Sequence, residues 1–420
     1  MNDLLVRRAR ISDAGSPVDI RISDGRIAEI GAGLSPPSRG EPVLDADGRV
    51  VVPGFIESHI HPDKAFLEER MPNVSGTLGE AIENTGKVKE EFTLADVTER
   101  ARKVMRWALS RGTTTMRAHP DVDPIGGLLG VEAMLDLKQA FAGYLDLQIA
   151  VFPQEGIYKA PGALELMEEG LRLGCDVVGG CPYNEATVED TRRHLEAVFD
   201  MAERHGKPID MHADFADDPS DPRFTTTEEI CDLTIARGMQ GKVSLGHVTT
   251  LGALDPDAAG PLFEKISAAG VTIVSLPATD LYLSGRKDVK NVRRGQAPVR
   301  TLLDHGVNLC YSSNNIRNAF TPFGNADLLL SGYLLGETQY MGSAEQQRAL
   351  LRMVTANAAK ALNIEDRYGL DVGKQADLCI LNSYKLSDVI QDQPIRAAVI
   401  KSGRIVVETQ LDTRYPTGMP

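Results

Sequence analysis

Between about residue 54 and residue 365, short apolar runs alternate with helical stretches, and no other feature of the chain limits its fold as much. The runs are GFIESHIH, TTTMRAHPD, LQIAVFPQ, DVVGGCP, PIDMHAD, VSLGHVT, TIVSLPAT and NLCYSSNN. Stretches between them, such as TLADVTERARKVMRWALSRG and TVEDTRRHLEAVFDMAERHG, carry apolar residues at helical spacing and end at glycine. Eight strands alternating with helices over some 310 residues predict an α/β fold, a (β/α)8 TIM barrel.

The two ends of the chain read differently. Residues 1–53 form short alternating runs in which Asp24-Gly25 and Asp47-Gly48 carry the chemistry of tight hairpin turns, and Ser402-Gly403 does the same near the other end. Neither end has enough strands to bury a core alone, so residues 1–53 and 366–420 are predicted to pair into one small β-sandwich domain around a barrel of residues 54–365. The stretch Leu34 to Gly40, LSPPSRG, reads as a linker.

Acidic residues outnumber basic ones 59 to 45, a formal charge of -14 that repels phosphate backbones and anionic membranes, so neither nucleic acid nor a membrane is expected as partner. No apolar run approaches the roughly 20 residues that span a bilayer, and MNDLLVRRARISD lacks the pattern of a secretion signal, which predicts a cytoplasmic protein. The five cysteines are scattered and never form a C-x-x-C pair, so reduced, buried thiols are expected.

In a barrel of this kind the active site lies at the C-terminal ends of the strands, and the residues closing the runs are distinctive. They are His59 and His61, His119, Gln154, His212, His247, and Asn314-Asn315; five of the eight histidines therefore converge on one rim. His59 and His61, two apart on a strand, project to the same side, so both imidazoles can bind one cation. Lys64 lies just beyond them, placed either to hold an anionic or carbonyl oxygen of a substrate or to sit as a surface lysine on the rim.

The stretch VVPGFIESHIHPDKAF resembles the strand-one signature of the amidohydrolase superfamily, in particular the branch with cytosine deaminase and the N-isopropylammelide hydrolases. The resemblance runs nearly end to end: DGRIAEIG, VLDADGRVVVPGF and VTANAAKALNIEDRYGLDVGKQADLCILNS look like the halves of the sandwich that brackets that family's distorted barrel. MRAHPDVDP, VFPQEGI, GGCPYNE, DMHADFADD, LGHVTTL, LSGR with RRG, and TPFGNADLL are similar to successive barrel segments. It implies one divalent metal ion, Zn or Fe with Mn or Co as substitutes, on His59, His61 and His212. It also implies His247 beside the attacking water as ligand or proton carrier and Gln154 on the substrate ring, with His119, Asn315 and Phe215 on the substrate side. A homo-oligomer is expected on the resemblance alone.

Two positions depart from the family pattern. Strand eight there supplies an aspartate that binds metal and takes a proton from water, and Asn314 stands in its place; a glutamate expected three residues after His212 is Phe215. The resemblance therefore implies a metal-dependent amidohydrolase that hydrolyses a C–N bond in or on a small nitrogen heterocycle, with cytosine itself a poor substrate. Two alternatives stay open: a catalytically altered member that binds a small ligand, and a hydrolase that opens a cyclic amide. For the missing base the sequence offers His247, or a displaced carboxylate such as Asp214 or Asp63. Asp280 follows a different strand and Asp327 lies 13 residues on, which counts against both. Phe152 and Tyr183 read as packing, Asp214–Asp221 as a lid, and Arg286 with Arg293-Arg294 either as a seat for an acidic substrate or as charge balance.

Overall fold

The structure is a computed structural model and describes residues 3–35 and 42–414. The linker expected at Leu34–Gly40 lies largely outside the described residues.

Five strands precede the barrel: β1 Leu4–Ala9, β2 Val18–Ser23, β3 Arg26–Gly31, β4 Val43–Asp45 and β5 Val50–Pro53. Eight build it: β6 Phe55–Ile60, β7 Thr113–Ala118, β8 Asp146–Val151, β9 Val177–Gly180, β10 Ile209–Ala213, β11 Val243–His247, β12 Thr272–Ser275 and β13 Asn308–Tyr311. Three follow it: β14 Leu378–Leu381, β15 Arg396–Lys401 and β16 Arg404–Glu408.

The expected (β/α)8 barrel is present, its parallel strands ordered β6 to β13 without a crossover, and it is distorted at the seam. There β13 meets β6 through a single bridge, Ile60 to Asn314, instead of a continuous ladder. Side chains stitch the rest: Ser312 Oγ accepts from His59 N (2.9 Å) and donates to Glu57 Oε1, which also accepts from Ser313 N (2.8 Å). The residues next to this seam are therefore positioned by a buried carboxylate and not by regular strand pairing.

The helices form where the spacing predicts. Thr93 caps Leu94–Ser110 by accepting from Asp96 N, and Val97, Ala101, Val104 and Ala108 turn one face to the core. Thr187 caps Val188–His205 in the same way, and Gly206 ends it at φ 62°, in the left-handed region that glycine enters freely.

Both chain ends meet in two sheets, ordered β3-β2-β1-β4 and β16-β15-β14-β5. Antiparallel pairing of β5 with β14 sets Val52 opposite Cys379, and Ile20 and Ile22 from one sheet share a core with Val51, Ile380 and Ile400 from the other. Asp24-Gly25 and Ser402-Gly403 do turn hairpins, β2–β3 and β15–β16. Asp47-Gly48 does not: its turn passes the chain from β4 in one sheet to β5 in the other, because β4 runs parallel to β1 and leaves β5 free to pair with β14. All five cysteines are free and buried. Among the described residues no helix is long and apolar enough to cross a membrane.

Strand β9 shows how tightly the barrel wall is built. A Cβ on Gly179 would lie 2.3 Å from the carbonyl oxygen of Val151 and 3.0 Å from Phe152 Cα, both backbone atoms that cannot swing aside. Gly179→Ala is therefore expected to destabilise the fold by about 3 kcal/mol, at the upper end of overpacking costs, measured by denaturant unfolding. A variant as stable as the parent would show that β8 and β9 can separate at no cost.

Candidate active site

Three imidazoles converge at the C-terminal end of the barrel. His59 Nε2 lies 3.1 Å and His61 Nε2 2.9 Å from His212 Nε2, all three side chains being buried. Their far sides are tied down: His61 Nδ1 donates to the carbonyl oxygen of His119 (2.7 Å), and His59 Nδ1 lies 3.1 Å from Asp210 Oδ1. Those acceptors place the ring protons on Nδ1 and turn the Nε2 lone pairs toward one another. Lone pairs cannot face each other so closely without a proton or a cation between them. Ligands on a tetrahedral ion with bonds of about 2.1 Å stand roughly 3.4 Å apart, so a small expansion seats one ion here. The residues fit a divalent metal.

The electrostatics favour the neutral rings that bind metal. Burial, reinforced by His119, pushes the His59 imidazolium down to about 3. Burial does the same for His61, with Lys64 adding to it, and for His212, with His59 adding to it; both are held well below the usual range. Asp210 remains a carboxylate: burial raises it, but the nearby His119 and His59 outweigh that, and Arg117 Nη1 donates to its other oxygen at 2.7 Å.

His247, at the end of β11, sits across the cavity with its ring 5.2 Å from that of His212. Its Nδ1 lies 2.6 Å from Asp280 Oδ1, and Asp280 Oδ2 accepts from Leu276 N (3.2 Å), which leaves His247 Nε2 free to face the cavity. Phe215 stacks flat on the same ring at 3.9 Å and 10°. Of the four carboxylates considered for the missing base, Asp280, discounted because it follows another strand, is thus the one that reaches a site histidine. The three other carboxylates are otherwise engaged. Asp214 accepts from the backbone N and hydroxyl of both Thr226 and Thr227, so it anchors the helix Thr227–Ala236. Asp63 Oδ2 accepts from Asp121 N (3.0 Å), and burial first, then Asp121, pushes the acid up to about 6. Asp327 caps the helix Leu328–Thr338 and pairs with Arg396.

Asn314 occupies the seam. Its backbone bridges to β6, its φ is +58°, and its amide Nδ2 and Oδ1 are buried without a partner among the described residues. Together with His61, His212 and His247 it lines a small inner cavity. A buried amide with neither atom satisfied costs free energy and points to a ligand. Asp214, His247 and Val248 also hold positive φ, so four strained positions fall at the ends of β10, β11 and β13.

Opposite the histidines, Lys64 is fully buried, so it is not a surface lysine. Its Nζ donates to Asp121 Oδ1 (2.7 Å) and to Gln154 Oε1 (3.1 Å). That contact fixes Gln154 with its NH2 as the group offered to the cavity, which Lys64, Gln154, Phe215 and Asn315 also line. Asp121 is shared with Lys89, whose Nζ also reaches Asp123 (2.6 Å) and Glu155 (2.8 Å), so a buried ionic lattice backs the Lys64–Gln154 wall.

His119 does not line the cavity. It stacks on His59 at 3.8 Å, with Nε2 3.2 Å from Asp210 Oδ1, so the ring backs His59 and does not border the cavity. Phe152 likewise stacks on His212 at 4.1 Å, as packing predicts, whereas Tyr183 borders the cavity. Sequence reasoning missed Asp210, although it stands two residues before His212 on one strand and so faces the same way, and it missed Glu57, related to His59 in the same manner.

Neutral imidazoles converging above a parallel barrel, with a carboxylate-backed histidine across the cavity, make a site that could hold a metal ion. The comparisons with known proteins agree. A family model described as "Amidohydrolase family" matches residues 42–407. N-isopropylammelide isopropyl amidohydrolase from Pseudomonas sp. (strain ADP) is 30% identical over 418 residues, covering 97% of this chain and 98% of that protein. The structure of 5-methylcytosine deaminase from Klebsiella pneumoniae liganded with 5-fluorocytosine superposes with a TM-score of 0.93 at 31% identity, covering 99% of this chain and 100% of that one. N-isopropylammelide isopropylaminohydrolase from Burkholderia multivorans ATCC 17616 gives 0.84 at 28% identity, covering 97% and 98%. The chain belongs to the amidohydrolase family, and it is a hydrolase of carbon–nitrogen bonds other than peptide bonds.

Proposed function

We propose that the protein hydrolyses a C–N bond in or on a small nitrogen heterocycle, using one divalent ion held by His59, His61 and His212 and His247 as proton acceptor. The observation that carries this reading is the His247–Asp280 contact of 2.6 Å beside the three converging rings, since it supplies a base where Asn314 and Phe215 supply none. When bound, the ion provides Lewis acidity that brings the pKa of a water near neutrality.

The chain's own groups do the rest. Gln154 Nε2 donates to an acceptor on the ring, and Lys64, itself a lining residue of the cavity, holds Gln154 in that orientation. The unpartnered amide of Asn314 donates to and accepts from water or substrate. His247 Nε2 takes a proton from the attacking water; as the C–N bond breaks, the same proton passes to the leaving nitrogen. Phe215 and Phe320 exclude bulk water.

A panel of aminopyrimidines, alkylamino-triazines and cyclic amides, read by release of ammonia or amine or by ring opening, tests the proposal. Turnover of at least one ring class, with cytosine among the poorest, is expected because Phe215 cannot protonate a ring nitrogen. Metal-replete protein that hydrolyses none of them would refute it.

A further inference from the structure

Leu78, Tyr183 and Phe215 border both the inner cavity and an outer pocket of about 380 Å³. A group attached to a ring at the histidines would pass between these side chains to reach that outer volume. Its inner wall is apolar: Ile82, Leu283 and Phe224 join the three shared residues, and Tyr183 stacks on Phe224 at 5.3 Å.

The rim is cationic in a chain whose formal charge is -14. Arg223 is spent on Asp221 at 2.7 Å. Arg293 is spent as well, on Asp288. Arg286 is not: its Nε donates to the Tyr282 carbonyl (2.8 Å), its guanidinium lies over the Tyr282 ring at 4.6 Å, and no ion pair forms among the described residues. Lys287 beside it also lacks an ion pair among the described residues. The one carboxylate among the described lining residues is Asp217, whose Oδ2 accepts from Gly285 N (2.8 Å). Gly76 makes room for Arg286: its φ is +68°, and a Cβ there would come within 2.4 Å of the guanidinium carbon.

We propose that this outer pocket is a binding subsite for an anionic substituent of the substrate, an apolar spacer lying against Phe215 and Phe224 and a carboxylate reaching Arg286 and Lys287. The subsite rests on the heterocycle reading for the identity of the remainder of the molecule, but its chemistry can be tested without turnover. Metal-replete protein is titrated calorimetrically with 4-phenylbutyrate and with 4-phenylbutan-1-ol, which share the spacer and differ in the acid. The acid is expected to bind about tenfold more tightly, the worth of two partly exposed ion pairs, and the preference is expected to fall to about twofold in the R286M/K287M double variant. Equal binding of the two compounds, or binding of neither at millimolar concentration, overturns the proposal. So does a preference that persists in the double variant, as carboxylate coordination at the histidine centre gives. Failure of the heterocycle reading shows separately, as an absence of hydrolysis across the panel.

Discussion

His212→Ala is expected to abolish retention of the divalent ion and to lower C–N hydrolysis by about 10³-fold or more, because Lewis-acid assistance is worth several kcal/mol. His212 is the hub of the cluster, its Nε2 within 3.1 Å of both other rings, and its loss leaves a pair where three ligands stood. Metal analysis of protein purified without chelator and steady-state rates on the active panel compound make the check. Asp210→Asn is the graded companion: it keeps the side-chain size but weakens the support of His59 and unpairs buried Arg117, so affinity for metal should drop about 10- to 100-fold. The same variant should unfold more readily, since breaking a buried ion pair costs about 3 to 5 kcal/mol. Full activity in metal-free protein would remove the basis of the site.

The barrel and the histidine cluster were legible in the sequence because both follow from period. Runs of four to six residues alternating with helical spacing leave few alternatives to a closed parallel sheet, and residues two apart on β6 must share a face. What stayed hidden depends on neighbours distant in the chain. Asp280 touches His247 across 33 positions, from the first turn of Pro277–Leu283, where an acidic residue is ordinary helix-start chemistry. His119 follows β7 as His61 follows β6, and the pattern of strand ends alone treats them alike. Only the stacking on His59 and the contact with Asp210 show that His119 stands behind the cluster. Lys64 could equally have been exposed until Asp121, 57 residues away, was seen to neutralise it. The Asp47-Gly48 turn misled for a similar reason: its local chemistry is that of a hairpin, but the partner of β5 comes from the far end of the chain.

The seam between β6 and β13 decides where the family's proton chemistry has gone. The amide of Asn314 enters the cavity with no partner, and an amide cannot accept a proton from water, whereas His247 has Asp280 behind it and Phe215 against its face. A carboxylate that touches no reacting atom can still act through the ring it orients, so on the proposed mechanism Asp280 is a positioning residue and His247 the acceptor. His247→Ala should therefore reduce kcat by about 10²-fold or more. Asp280→Asn should reduce kcat by about tenfold or more with little change in KM, since it alters the ring's tautomer and orientation but not the substrate contacts. Asn314→Ala should also slow the native reaction, while Asn314→Asp adds a carboxylate to the cavity and should tighten metal binding by about tenfold. The four variants separate the roles: if His247→Ala keeps its rate while Asn314→Ala loses it, the proton leaves water by a path through the seam and the His247–Asp280 pair only packs. If instead Asp280→Asn matches His247→Ala in kcat and both retain metal and KM, the carboxylate acts through the histidine, and the His247–Asp280 pair supplies the base that Asn314 at the seam does not.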